Sequence, residues 1–210
     1  MELGALAPYE TALRTAAPLD LRTADGDALP LAIEQWLGPT DAVDATVLDR
    51  CAGPVLDVGC GPGRFVSALH ARGIFALGVD IAETAVALTR DLGMPALLRS
   101  VFAELPGEGY WPTALLLDGN IGIGGDPLRL LTRIATLLAS DGRVIVETAP
   151  DPAADQVLSV RFAESGVAVG PAFDWAVLGV DALARHAATT GYSLVESWSS
   201  SGRTFAVLGR

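Results

Sequence analysis

The sequence contains no lysine, so all 14 of its basic residues are arginine. It has two cysteines and two histidines. Cys51 and Cys60 lie apart, without a CxxC spacing or a histidine neighbour, which excludes a zinc ribbon and a disulfide framework and suits a reducing cytoplasm. No Lys/Arg cluster occurs, and the formal net charge is −11. Such a chain repels phosphate backbones, so DNA or RNA is not expected as a bulk partner. Mean hydropathy is high at +0.41, yet Asp, Gly and Pro interrupt every apolar stretch before membrane-spanning length, and no membrane partner is expected. The opening Met1-Glu2-Leu3-Gly4 lacks a basic stretch followed by a long apolar run, so no signal peptide is expected. Repeats and low-complexity segments are absent too.

Half of the 210 residues are hydrophobic, enough for the core of one domain with extensions. Residues 1–50 are punctuated by Pro8, Pro18, Pro30 and Pro39. Helices are expected over 31–37 and 42–50, the second capped by Thr40 or Asp41. This segment reads as an N-terminal helical cap or lid on a domain covering 51–210, the whole forming one structural domain.

From Pro54 onward strands and helices alternate. Strands are expected at 55–58, 76–79, 96–98, 114–117 and 143–147. Helices are expected at 64–72, 83–92 and from Pro127 to about residue 139, with Asp126 as cap and a turn at 140–142. This β-α-β order specifies an α/β fold: a doubly wound, mostly parallel sheet. A helix at 181–189 follows, then strands at 192–198 and 204–208. The link between those strands is so short that they must form an antiparallel hairpin.

The strongest motif is Val55-Leu56-Asp57-Val58-Gly59-Cys60-Gly61-Pro62-Gly63-Arg64, a strand, a glycine turn and a helix start. The glycines permit a tight turn and close approach of a ligand to the backbone. Dinucleotide binders carry GxGxxG, whereas here Arg64 stands where the last glycine would fall. A catalytic Tyr-Lys pair is also impossible, so an NAD-dependent oxidoreductase is disfavoured. About 20 residues on, Asp80 ends the next strand, where an acid can accept hydrogen bonds from both ribose hydroxyls.

Residues 54–148 resemble the class I, Rossmann-like S-adenosylmethionine-dependent methyltransferases. The resemblance implies a seven-stranded sheet closed by an antiparallel hairpin strand, and S-adenosyl-L-methionine as cofactor with S-adenosyl-L-homocysteine as product. By the same resemblance Gly59, Cys60, Gly61 and Gly63 face the methionine part of the cofactor and Asp57 supports its amino-acid end. Asp80 holds the ribose, with Ile81 beside the adenine. Where the family carries an acid for the adenine amino group, this chain has Ser100-Val101-Phe102, so that contact falls to Ser100 or a backbone N–H beside Val101 and Phe102. Asp118 and Gly119 lie under the sulfonium.

The segment Asp118-Gly119-Asn120-Ile121-Gly122-Ile123-Gly124-Gly125 leaves the end of a strand, where ligands bind in open α/β sheets. It reads either as an awkward turn or as a loop lying against the transferring methyl, with Asn120 bonded to cofactor or acceptor. Alignment alone supplies much of the rate of methyl transfer, while a hydroxyl acceptor also needs a base. His70 and His186 are poorly placed for that role. Glu147 is the first candidate, followed by Asp174, Tyr9 and Glu10. No metal is expected. Trp36, Phe173 and Trp175 are candidates to line an acceptor pocket, and Trp111 and Trp198 read as core. The expected function is methyl transfer to a small-molecule acceptor at O, N or C, by a monomer or homodimer. The alternative is cofactor binding without transfer.

Overall fold

The computed structural model describes residues 6–210; the opening residues that bear on a signal peptide lie outside the described residues. Strands β3 (Val55–Val58) and β4 (Ala76–Asp80) are buried along their whole length, the pattern of parallel strands covered by helices on both faces. They are followed by α4 (Arg64–Ala71) and α5 (Glu83–Asp91). The sheet continues with β5 (Ala96–Leu98), β6 (Trp111–Leu116) and β7 (Leu138–Thr148), and closes with β10 (Ser193–Ser200) and β11 (Arg203–Gly209). Its order is β10-β11-β7-β6-β3-β4-β5, seven strands in all. The pairings from β7 to β5 are parallel, and β11 runs antiparallel to both β7 and β10. After β5 the chain returns to the other side of β3. That reversal opens a crevice beyond the carboxyl ends of β3 and β6.

Helix α6 (Pro127–Leu137) shows how locally the fold is specified. Asp126 accepts the backbone N–H of Arg129 at 2.9 Å, and Pro127 occupies the first turn. Leu130, Leu131, Ile134 and Leu137 then fall on one face, fully buried. The turn expected at 140–142 is instead absorbed into β7. Pairing with β6 slips from Trp111–Leu138 to Thr113–Arg143, so the extra residues bulge out of the ladder. His70 closes α4 by bonding through Nε2 to Ala76 O at 3.1 Å, and His186 meets Asp155 at 3.0 Å on the surface.

The first fifty residues hold α1 (Ala7–Thr15), α2 (Ile33–Leu37) and α3 (Ala42–Leu48), and also a hairpin of β1 (Leu19–Thr23) and β2 (Ala28–Leu31). Nothing in the proline-punctuated sequence announces this hairpin. It pairs with β8 (Asp155–Glu164), itself paired with β9 (Val167–Leu178), in a second, antiparallel sheet of order β2-β1-β8-β9. The β8–β9 turn places Ser165 and Gly166 at φ +49° and +82°, the left-handed pair that a two-residue hairpin turn requires. Helix α7 (Val180–Thr189) then returns the chain to the main sheet.

Strand β9 lies directly on the glycine-rich segment Asn120–Gly125. A Cβ on Gly122 would stand 2.5 Å from Trp175 Cε2 and 2.6 Å from Ala176 O, although its φ is not left-handed. Glycine is needed here for close approach between two backbones. Gly122→Ala is therefore expected to cost about 1–3 kcal/mol through overpacking, read as a lower urea midpoint with an unchanged slope.

Candidate functional site

The glycine turn between β3 and α4 is held from three sides. Gly59 N and Cys60 N donate to Val79 O at 2.8 and 3.2 Å, Gly61 N to an Asp80 carboxylate oxygen at 2.9 Å, and Gly63 N to Cys60 O at 3.1 Å. Pro62 has no N–H, so every amide of the turn is already used. A turn of this kind cannot cradle a pyrophosphate, which needs free N–H groups. Gly59 and Gly63 have left-handed φ, and a side chain on either would strike Asn120 or Thr89 within 2.6 Å. Gly61 differs. Its φ is +53°, and a Cβ there would meet nothing nearer than the Tyr9 hydroxyl at 3.5 Å. The missing side chain of Gly61 leaves open space over the turn.

That space is a cleft lined by Tyr9, Trp36, Asp57, Gly59, Cys60, Gly61, Arg64, Asp118 and Asn120, among others. Asp57 is buried and accepts no hydrogen bond among the described residues. Burial, with Asp118 nearby, pushes its carboxyl up to about 7. Asp80 accepts from Ala82 N at 2.8 Å as well as from Gly61, and burial raises its carboxyl above the usual range. Each of its oxygens retains a further lone pair. Cys60 is buried, its sulfur packed on Gly78, and burial raises its thiol.

Asp118 follows β6 with a left-handed φ of +54°, an uncommon conformation that Asp tolerates. Arg64 Nη2 donates to both of its carboxylate oxygens at 2.8 Å. Arg64 also pairs with the fully buried Asp44. Arg203, from β11, bonds Asp44 at 2.7 Å and both oxygens of Glu147 at 2.8 Å. Glu147 in turn accepts Asp118 N–H at 2.7 Å. Its two oxygens are thus both engaged in bracing the end of β6.

Helix α1 covers the cleft. Glu10 accepts the N–H of Glu83 at 2.8 Å and Arg14 donates to Thr84 at 2.8 Å, tying α1 to the start of α5. Tyr9 then points over the glycine turn, and burial followed by Asp80 raises its phenol well above the usual range. It stacks on Phe162 at 6.4 Å and meets Trp36 edge-on at 6.3 Å. Trp36 Nε1 is buried without a partner among the described residues.

The crevice thus brings together Asp57, Gly59, Cys60, Gly61, Asp118 and Asn120, with Asp80 and Gly63 directly behind. Asn120 donates from Nδ2 to Val58 O and Gly59 O, both at 2.9 Å, so its amide braces the glycine turn. Ile81 packs under α1. Val101 is a core residue, and Phe102 lies half-buried beneath the Arg129 guanidinium at 4.2 Å. Gly119 lies beside Trp175. Trp111 is core and Trp198 is stacked on Phe205; Phe173 packs against Phe162 and Trp175. Asp174 is exposed. Sequence reasoning missed Asp44, Arg64 as an ion-pair partner, and Arg203. Only Arg64 carried a local signal, as a charged residue closing a glycine motif.

The buried Asp57 makes stability depend on pH in a defined sense. Its folded carboxyl holds a proton up to about 7, whereas the unfolded one releases it near pH ~4. The folded state therefore binds more protons between about pH 4 and 7, and its stability falls as pH rises through that window. Asp57→Asn is expected to exceed the wild type in stability by about 2–4 kcal/mol at about pH 8 and to match it near pH ~4. Chemical denaturation at both pH values checks this.

The family model described as a methyltransferase domain matches residues 56–146. No curated protein matches the sequence. Among solved structures, an S-adenosylmethionine-dependent methyltransferase from Bacteroides fragilis, bound to S-adenosyl-L-homocysteine, superposes with a TM-score of 0.78 at 21% identity, covering 98% of this chain and 94% of that one. The 1,6-didemethyltoxoflavin-N1-methyltransferase of Burkholderia thailandensis gives 0.58 at 19% identity, covering 80% and 74%. The CcbJ methyltransferase of Streptomyces caelestis gives 0.64 at 17%, covering 83% and 91%. With its order of strands, its glycine turn and its crevice, the chain has the fold of the class I, S-adenosylmethionine-dependent methyltransferases, and residues 56–146 match the model of a methyltransferase domain.

Proposed function

We propose that this chain transfers the methyl group of S-adenosylmethionine to a small-molecule acceptor inside the cytoplasm. The observation that carries the reading is the open face of Gly61, roofed by Tyr9 and flanked by the buried, unpartnered carboxylate of Asp57. A buried carboxylate without a partner is costly unless a ligand supplies a donor. The amino-acid end of the cofactor carries such a donor, so the residues present fit the group. The cofactor itself brings an activated methyl on a sulfonium. Around it the chain's own residues bind and align. Asp80 would receive the ribose hydroxyls on its remaining lone pairs and Ile81 and the Val101-Phe102 loop would hold the adenine, while Asn120 and Glu147 keep the glycine turn and Asp118 in place.

Glu147 acts as a positioning residue rather than a base, because Arg203 and Asp118 N–H occupy both of its oxygens. Tyr9 stays protonated and serves as a donor. Rate then comes chiefly from alignment and from exclusion of water by α1 and the second sheet. A small acceptor suits a cleft closed by α1, α2 and β8, and the net charge of −11 disfavours nucleic acid. Among the described residues no helix is long and apolar enough to cross a membrane. The Burkholderia neighbour was solved with bound 1,6-didemethyltoxoflavin, a small molecule, which is a parallel of fold and not of site.

Calorimetric titration with S-adenosylmethionine, S-adenosylhomocysteine and NAD tests the cofactor, and mass-spectrometric detection of S-adenosylhomocysteine over an acceptor panel tests transfer. Adenosyl binding without any product would favour a cofactor-binding protein that does not transfer methyl. Binding of NAD alone would overturn the reading. Asp80→Ala, checked for native circular dichroism, is expected to weaken S-adenosylmethionine binding by about 1–3 kcal/mol; unchanged affinity would remove Asp80 from the ribose.

A further inference from the structure

Among the described residues the two sheets end in four edge strands, β5, β10, β2 and β9. An edge strand offers unpaired backbone N–H and C=O groups to any other strand, and three of these four are blunted against it. Strand β5 is three residues long, β2 carries Pro30 and β9 carries Pro171. Strand β10 is different. Its eight residues hold no proline, six of them are exposed, and Leu194 and Val195 are among those six. A bulge at Val195 disturbs its pairing with β11 near one end and leaves Glu196 to Ser200 as a regular run. Glu196, the one charged residue of β10, already has its counter-charge: Arg50 donates to it through Nε at 3.0 Å and through Nη2. The same guanidinium lies 4.0 Å over the ring of Trp198, the next residue on that face. Trp198 is fixed in turn by donating from Nε1 to Thr46 Oγ1 at 2.9 Å. A chain of net charge −11 repels its own copies, but this edge presents its acid neutralised.

We propose that β10 is the interface to a second copy of this chain, the two β10 strands pairing antiparallel about a two-fold axis at Ser197 so that the main sheets run on as one. Residues opposite each other across such a contact share a face, so the axis passes through a residue and never between two. An axis at Glu196 would set two carboxylates against each other. An axis at Trp198 would oppose two rings that each carry an Arg50, and like charges directly opposite are destabilising in both cases. With the axis at Ser197, each Glu196 stands opposite the second copy's Trp198, whose ring bears that copy's Arg50. Two arginines and two glutamates then alternate in a neutral group of four, self-complementary as a two-fold contact must be. The edge thus selects its own copy, in one register, by charge. A contact of one strand from each side is smaller than a standard interface, so a Kd of about 1–100 µM is expected.

Sedimentation equilibrium of the full chain over about 1–500 µM provides the test. The wild type is expected to reach twice the chain mass of 21.7 kDa at the upper end. Glu196→Arg, which gathers four cations at the axis, is expected to weaken the dimer at least about tenfold. Combining it with Arg50→Glu inverts all four charges and is expected to restore the dimer. Circular dichroism checks that each variant is folded. Should Glu196→Arg fail to fold, Val195→Lys puts a cation on the exposed bulge without touching the Arg50–Glu196 pair, and it too is expected to dissociate the dimer. A wild type that stays monomeric throughout would overturn the proposal. So would a dimer indifferent to both Glu196→Arg and Val195→Lys, since the contact would then lie on another face. Dissociation by Glu196→Arg that the charge inversion does not reverse would overturn the register at Ser197.

Discussion

The cleft depends on one buried ion-pair network, in which Arg64 and Arg203 are shared among Asp44, Asp118 and Glu147. Charges taken out of water are costly, and only close pairing with several hydrogen bonds offsets that cost. The five residues come from α3, the start of α4, the end of β6, the end of β7 and the start of β11. Segments far apart in sequence are thereby fixed at the carboxyl edge of the parallel sheet. Removing either arginine would leave three carboxylates sharing one guanidinium, a larger disturbance than losing an apolar contact of similar size. Asp44 belongs to the N-terminal segment and Arg203 to the final hairpin. Neither segment is therefore an ornament on a finished domain, because the floor of the cleft is built from both.

The glycine turn shows how the same residue types serve different chemistry. A glycine-rich strand-to-helix turn suggests a phosphate cradle until its N–H groups are followed to their partners. Here Val79, Asp80 and Cys60 take them all, and Asn120 and Thr89 pack where side chains on Gly59 and Gly63 would be. What remains for a ligand is the bare face at Gly61 and the carboxylates around it. The turn presents shape and negative charge, suited to a ligand with donors and a cation rather than to an anion.

The parallel sheet was legible because its strands are buried on both faces and end in recognisable punctuation, such as Gly73, Gly93 and the Asp126-Pro127 cap. The residues at the cleft were legible for the same reason, since Asp57, Gly59, Gly61 and Asp118, with Asp80 behind them, all sit at or beside strand ends. The second sheet was not. Strand β8 is exposed at most positions before Val160, and β2 contains Pro30, so neither gives a clean alternation of apolar and polar residues. The sheet's central pairing is also non-local, β1 joining β8 through residues 20–23 and 160–163, and nothing in either segment announces the other. Arg203 was invisible for a related reason. A lone arginine in a hairpin reads as a solvated surface charge until the fold brings it to Asp44 and Glu147.

The glycines after β6 teach a sharper lesson, because their number is plain in the sequence and their purpose is not. Gly122 and Gly125 make room for Trp175 and Asp174 of β9, and Gly119 lies beside the same tryptophan. The loop that follows Asp118 is thus clamped by the second sheet. That sheet also reaches the other side of the cleft, where Phe162 of β8 stacks on Tyr9. A row of aromatic rings runs from Trp36 of α2 through Tyr9 of α1 to Phe162, Phe173 and Trp175 of the second sheet, in successive ring contacts of 5.2–6.4 Å. Close-packed aromatic rings transmit displacement because they leave no voids to absorb it. A shift of α1 at Tyr9 and a shift of the loop at Gly119 are therefore mechanically linked through one wall, and the roof and floor of the cleft cannot be adjusted independently.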